Sequence, residues 1–147
     1  MAQQDAIALL DADHMHVEQL FAEYQTAGED REHKRYLAHR ICQELAVHAQ
    51  IEEEIFYPAV RNATGDNRMV DDARKEHDNA RELINVIEAG PYDDATMTRL
   101  HRVIEHHVKE ERDEMFDRAR RAPGLDLMRL GAQLEQRKSE LNAAHPA

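Results

Sequence analysis

The chain lacks several residue types that would point to other classes of protein. Among its 147 residues tryptophan is absent, aromatic residues make up only 5%, and glycine (5) and proline (4) are scarce. So few turn-forming residues favour a small number of long helices over a sheet of short strands. The single cysteine, Cys42, excludes an internal disulfide framework and is compatible with a reducing cytoplasm, which is the location we expect.

Long apolar runs and an excess of positive charge are missing as well. No apolar stretch approaches the roughly 18 residues of a membrane span, and the N-terminus lacks the basic-then-apolar pattern of a signal peptide. The 30 acidic residues outnumber the 19 lysines and arginines, which gives a net charge of −11. We therefore expect neither nucleic acid nor a membrane as partner, because polyanionic surfaces repel such a chain.

Glycine and proline divide the chain into five segments with helical spacing of apolar residues. The breakers predict helices over residues 4–26, 30–61, 67–89, 93–121 and 125–143, with a kink or an end near Pro58. The expected fold is all-α: an up-down-up-down four-helix bundle over residues 1–121, followed by a C-terminal helix and tail over 122–147. That last helix carries leucines at helical spacing, so it either packs on the bundle or forms an oligomer contact.

Histidine is abundant, with 10 residues, and the apolar stripes select four of them. His14, His48, His77 and His107 each lie on the inward stripe of one bundle helix, whereas His16, His33, His39, His101 and His106 are expected to face solvent. Two stripes carry a glutamate four residues further on, Glu52 and Glu111, and residues i and i+4 share a helix face. The stripe of the second helix is expected to continue through Ile55 and Ala59.

Two inward carboxylates among four imidazoles require a compensating positive charge. Burying a carboxylate costs several kcal/mol unless it is paired or bound to a cation. A pair of metal ions would compensate both glutamates at once. The ferritin-like alternative uses Glu-x-x-His, and no glutamate of this chain has a histidine three residues on.

Four stretches together resemble a known family. They are Asp13-His14, HAQIEEEIFYPAV from His48, Glu76-His77, and HHVKEERDEMF from His106. In this order they are similar to the hemerythrin-like (HHE, cation-binding) domain. The resemblance implies a non-haem centre of two iron ions, bridged by carboxylates and by an oxo or hydroxo group. It also implies the metal ligands His14, His48, Glu52, His77, His107 and Glu111.

The sequence departs from oxygen-carrying hemerythrins at one ligand position. They have a second histidine four residues after the third-helix ligand, where this chain has Arg81, which cannot lose its proton to bind iron. Their last carboxylate is an aspartate one residue further from its histidine, whereas this chain has Glu111. A water, Glu18 or Tyr57 could complete the ligand set, and reversible oxygen carriage is not what this set favours.

Two classes of function remain open from the sequence. The first is a di-iron protein that binds or reacts with a small oxidant (O2, NO or peroxide), with oxidase, peroxidase or catalase-like turnover as its enzymatic form. The second is a helical module that stores, buffers or senses iron or zinc without redox turnover. Dependence of folding on metal separates both from a purely structural bundle.

Overall fold

The regular structure of the chain is helical throughout residues 4–144, the part that the computed structural model describes. Two π-helical turns, π1 (Glu52–Phe56) and π2 (Glu111–Met115), join α2 to α3 and α5 to α6 without a break, so the chain forms five rods. These rods match the five predicted segments to within a few residues. The α-helices are α1 (Ala6–Thr26), α2 (Arg31–Ile51), α3 (Tyr57–Thr64), α4 (Asn67–Ala89), α5 (Asp94–Glu110), α6 (Phe116–Arg121) and α7 (Leu127–Ala144).

Aspartates set the beginnings of the four bundle rods. The side chains of Asp5, Asp30, Asp66 and Asp93 each accept a hydrogen bond from the backbone N–H three residues further on. Such a cap satisfies a backbone donor that the helix itself leaves unpaired and contributes about 1 kcal/mol. Gly65 ends α3 in the left-handed conformation (φ 70°), which glycine adopts without a steric penalty.

The π1 turn moves the buried face of its rod by one residue. The predicted stripe is buried as far as Glu52, but beyond it Phe56, Tyr57 and Val60 are fully buried. The expectation for Ile55 and Ala59 was wrong, since both are only partly buried. The N–H of Tyr57 donates to the carbonyl of Glu52 five residues earlier, and this wider turn adds the residue that shifts the register.

A layer of polar side chains separates two apolar cores. One core lies around Leu10, Phe56 and Phe116, and the other around Phe21, Ile41 and Leu100. Along each bundle rod, the buried polar residues lie between the part of the rod that packs in one core and the part that packs in the other. The buried polar residues are Asp13, His14, His48, Glu52, His77, His107 and Glu111.

The C-terminal helix α7 packs against α1, α2 and π1. It buries Leu130, Leu134 and Leu141, and Gly131 allows a close approach, because a Cβ there would meet the carbonyl oxygen of Gln4 at 2.1 Å. The all-α bundle with an additional C-terminal helix is therefore confirmed. The division at residues 121/122 stays a prediction, and residues 1–3 and 145–147 of its two parts lie outside the described residues. Within residues 4–144 no helix has the length and apolar character needed to cross a membrane.

Candidate metal centre

The six predicted ligands lie together in the polar layer, and each is 7% exposed or less. All four imidazoles turn Nε2 toward the middle of the bundle. The Nε2 atoms of His48 and His77 both lie 3.1 Å from Oε1 of Glu52. Those of His14 and His107 lie 3.1 Å and 3.3 Å from Oε1 of Glu111. The structure thus brings all six side chains to one place.

The donor atoms form two groups that share one carboxylate. We name them the α1 sub-site (His14, His48, Glu52 and Glu111) and the α4 sub-site (Glu52, His77 and His107); within each, the donor atoms lie within 4.8 Å of one another. Glu52 belongs to both groups. Its carboxylate therefore occupies the position from which one side chain can bridge two cations.

The two glutamates also supply a test of whether these residues fit a metal. Oε2 of Glu52 is fully buried and has no hydrogen-bond donor among the described residues, and Oε1 of Glu111, also fully buried, faces the Nε2 atoms that point into the centre. A buried carboxylate oxygen without a donor is costly, and a cation satisfies it as a donor would. Imidazole nitrogen and carboxylate oxygen together are ligands that suit iron and zinc. The residues present fit a bound cation pair.

Each imidazole is held from behind by a second carboxylate. Such a contact retains the proton on Nδ1, so Nε2 is the nitrogen that is available to bind a cation. Three of these carboxylates, those of Asp13, Glu53 and Glu76, are adjacent in sequence to predicted ligands, and this adjacency is the signal that could have revealed them. Each of the three contacts a histidine on another helix. Sequence reasoning gave them no role. The Nδ1 contacts are His14–Asp11 (3.2 Å), His48–Asp13 (3.0 Å), His77–Glu53 (2.7 Å) and His107–Glu76 (2.7 Å).

A further basic side chain contacts each of these carboxylates, so four cation–carboxylate–imidazole relays surround the centre. Three relays end in a permanent cation and the fourth ends in a histidine. Arg81, in the position where a ligand is absent, thus pairs with Glu53 and does not face the centre. The outer contacts are Arg112–Asp11 (2.6 Å), Lys138–Asp13 (2.5 Å), Arg81–Glu53 (2.5 Å) and His106–Glu76 (3.3 Å).

The electrostatics of the metal-free centre are those of buried ion pairs. Burial lowers the pKa of His48, but the facing carboxylates of Glu52 and Asp13 outweigh it and raise the value to about 10. Burial opposes charge on Glu52 too, yet His48 and the other polar neighbours hold its pKa well below the usual range. The pKa values of His77 and His107 are raised as well, because facing carboxylates outweigh burial, so cation binding at these imidazoles releases protons.

The hydroxyl of Tyr57 also lies in the centre. It is 3.0 Å from Oε2 of Glu111 and 3.1 Å from Nε2 of His77, and its ring stacks on that imidazole. Burial, followed by the charges of Glu111 and Glu52, raises its pKa well above 10, so the phenol stays protonated and donates to Glu111. Of the two side chains suggested as extra ligands, the structure places Tyr57 at the centre and Glu18 outside it, paired with His101 at 3.0 Å.

The five histidines predicted to face solvent differ in their exposure. His16, His33, His39 and His106 are exposed, as expected. His101 is partly buried instead, because its ring stacks on Phe21 with centroids 4.3 Å apart. Its Nε2 faces Glu18, away from the central layer.

A helical bundle that carries two imidazole–carboxylate groups in its middle is typical of one class of protein, the helical-bundle metal-binding proteins. Residues 5–119 match the model of the hemerythrin HHE cation-binding domain, so the chain belongs to this family and the resemblance is confirmed. Cation binding is therefore the general property of the family to which this chain belongs.

Two similar proteins extend this comparison. The crystal structure of a hemerythrin HHE cation-binding domain-containing protein from Mycobacterium kansasii superposes with a TM-score of 0.78 at 22% identity, over 96% of this chain and 89% of that one. It shows the shared fold. A protein named DNA nickase from Nostoc sp. (strain PCC 7120) is 30% identical over 116 residues, which cover 77% of this chain. The match spans only 32% of that relative.

Proposed function

We propose that the chain holds two iron ions and binds or reacts with a small oxidant such as O2, NO or peroxide. The observation that carries this is the shared carboxylate of Glu52, which lies 3.1 Å from imidazoles of both sub-sites. The proposed ligands are the six residues predicted from the sequence. When bound, an iron pair supplies ferrous–ferric cycling and coordination positions for a small molecule.

A small cavity beside the imidazoles supports a small ligand. Its volume is about 30 Å³, enough for a molecule of two or three atoms. Apolar side chains dominate its lining, which disfavours large or charged ligands. Arg81 also lines it, and at 40% exposure this side chain lies between the cavity and solvent. The lining residues include the four ligand histidines together with Val17, Leu45, Ala80, Ile84, Ile104 and Val108.

The chain's own side chains would orient the ligands and hold one proton. The four relays fix each imidazole with Nε2 inward, so little rearrangement accompanies loading. Tyr57 keeps a proton on its hydroxyl 3.0 Å from Glu111, where it can be donated to a developing negative charge. The two apolar cores on either side exclude bulk water from this layer.

The test is metal content followed by optical spectra. The chain is loaded with ferrous iron under anaerobic conditions, iron per chain is measured, and O2, peroxide, NO and azide are then added. We expect two iron ions per chain and a ferric absorption band that changes with these ligands. Tight zinc or iron binding without any spectral response would support the second class, a metal store or buffer. Stability that is indifferent to chelators would contradict both.

Partners and location follow from charge and surface. We expect no nucleic-acid binding, because a net charge of −11 opposes contact with phosphates; fluorescence anisotropy with duplex DNA at low salt tests this, and saturable micromolar binding would contradict it. We also expect a cytoplasmic location and self-association, if any, through α7. The activity in the name of the Nostoc protein is that of a whole chain about three times as long as the matched part.

A further inference from the structure

Two neighbouring cations on α7 contact the bundle. Arg137 Nε lies 2.7 Å from Oε1 of Glu54, and Lys138 Nζ lies 2.5 Å from Oδ1 of Asp13. Both residues lie beyond residues 5–119, the part that matches the family. The two ion pairs therefore attach a helix outside the family domain to the bundle that carries the centre.

The two carboxylates differ in what they contact next. Asp13 is buried, and its second oxygen, Oδ2, accepts a hydrogen bond from Nδ1 of His48 at 3.0 Å. Glu54 is exposed, and besides Arg137 it accepts a hydrogen bond from Gln50. Lys138 is thus connected through Asp13 to His48, a proposed metal ligand, whereas Arg137 makes a surface ion pair.

The physical effect of Lys138 follows from geometry. An ammonium on one oxygen of Asp13 fixes that carboxylate's rotation, so its other oxygen stays directed at Nδ1 of His48. A carboxylate so held keeps the imidazole in one tautomer and one orientation, with Nε2 toward the α1 sub-site. Without the ammonium, Asp13 can rotate toward solvent and His48 loses its support.

The other relays obtain their cations differently. Arg112, on π2, serves His14 through Asp11, and Arg81, on α4, serves His77 through Glu53. Both arginines lie within the family domain. Among the described residues, Lys138 is the permanent cation that reaches the centre from α7.

We propose that Lys138 is a positioning residue of the metal centre, through which docking of α7 controls cation retention in the α1 sub-site. The proposal rests on the proposed ligand set. α7 is well placed for this role, since Leu134 is fully buried and Gly131 lies against the backbone at the start of α1. The helix cannot shift along α1 without moving the ammonium away from Asp13.

The experiment compares three variants of the full chain. Lys138→Met removes the relay cation, Arg137→Met removes the neighbouring surface cation as a matched control, and Lys138→Arg restores the charge. Co2+ is the probe, since its visible spectrum reports ligation, and affinity is measured by competition with a chelator. We expect Lys138→Met to weaken one of two Co2+ sites by about tenfold, Arg137→Met to change affinity less than twofold, and Lys138→Arg to recover most of the loss.

A second measurement does not depend on metal. In the metal-free chain, ¹⁵N NMR of His48 reports the hydrogen bond from its Nδ1–H to Asp13, and we expect Lys138→Met to change this signal while Arg137→Met leaves it unchanged. Failure of the wild type to bind Co2+ would overturn the proposed function and leave the NMR comparison to decide on Lys138. Equal effects of both methionine variants would overturn the proposal, because loss of docking alone would explain them. If Lys138→Met does not fold, Lys138→Gln carries the same comparison.

Discussion

The two sub-sites are built from equivalent pieces of helix but differ at one aromatic residue. The centre contains two His-x-x-x-Glu pairs, His48/Glu52 and His107/Glu111, and each runs into a π turn whose first residue is the glutamate. The fifth residue after Glu52 is Tyr57, and the fifth after Glu111 is Phe116. Tyr57 stacks on His77 (centroids 5.3 Å apart), and Phe116 stacks on His14 (5.9 Å).

The two aromatic residues therefore differ by a single phenolic oxygen. In the α4 sub-site it adds a polar group 3.1 Å and 3.3 Å from Nε2 of His77 and His107. The α1 sub-site has the apolar ring of Phe116 in its place, while Oε1 of Glu111 lies 3.1 Å from His14 of this sub-site and 3.3 Å from His107 of the other. For the proposed iron pair, we expect a small molecule to react at the α4 sub-site, because the Tyr57 hydroxyl can donate a proton there.

The largest expected effect comes from the residue that the two sub-sites share. Glu52→Gln removes the negative charge between the cations while keeping the shape of the side chain. We expect both cations to be lost, as measured by metal content after gel filtration. Glu54→Gln, on the exposed face of the same turn, is the control and should retain full metal. Retention of both cations by Glu52→Gln would show that Glu52 does not bridge.

Loss of one histidine from each sub-site should separate the two. His77→Ala removes a donor that belongs to the α4 sub-site alone, and His14→Ala does the same in the α1 sub-site. We expect each variant to lose about half of the bound metal, with His77→Ala also losing the spectral response to azide or NO. His39→Ala, which is exposed, serves as control. Unchanged metal content in His77→Ala would remove that residue from the ligand set.

The pH dependence of stability tests what the sub-sites have in common. Neighbouring carboxylates raise the pKa of His48 to about 10 and also raise that of His77. A raised pKa stabilises the metal-free fold below about 6.5, the ordinary value for histidine, and this contribution is lost as pH rises toward 10.

We therefore expect the metal-free chain to lose about 1–3 kcal/mol of unfolding free energy between pH 6.5 and 9. The loaded chain should not follow it, because ligated imidazoles carry no Nε2 proton. Urea unfolding with and without a chelator measures both. Parallel pH profiles for the two forms would contradict a metal centre at these histidines.

The smallest effect is expected from making the sub-sites alike. Tyr57→Phe keeps the ring on His77 but removes the donor to Glu111, which should cost about 1–3 kcal/mol in the metal-free chain and less when a cation satisfies that carboxylate. Tyr24→Phe is the control, since its hydroxyl bonds Asp94 at 2.6 Å, away from the centre. Equal losses of unfolding free energy in both variants, with and without metal, would show that the Tyr57 hydroxyl has no special role.

The inward position of the six proposed ligands could be predicted because it follows from local rules. Helical periodicity places His48 and Glu52 on one face whatever the rest of the chain does, and the family order of the motifs adds His14 and His77. The same rules failed for Ile55 and Ala59. A π turn is not visible in the period of apolar residues, since it depends on how the helix is held on both sides of Glu52.

The amino-acid sequence by itself determined five helical rods, their aspartate caps and the inward imidazoles and carboxylates, since all of these depend on residues within a few positions of one another. Only the tertiary structure decided which carboxylate holds which imidazole, where the Tyr57 hydroxyl lies, and that Lys138 reaches Asp13. Apart from the local contact between Asp11 and His14, these contacts reach across the chain, for example over 20 positions from Tyr57 to His77 and over 125 from Asp13 to Lys138. They are set by the relative heights and rotations of packed helices, which no local pattern encodes.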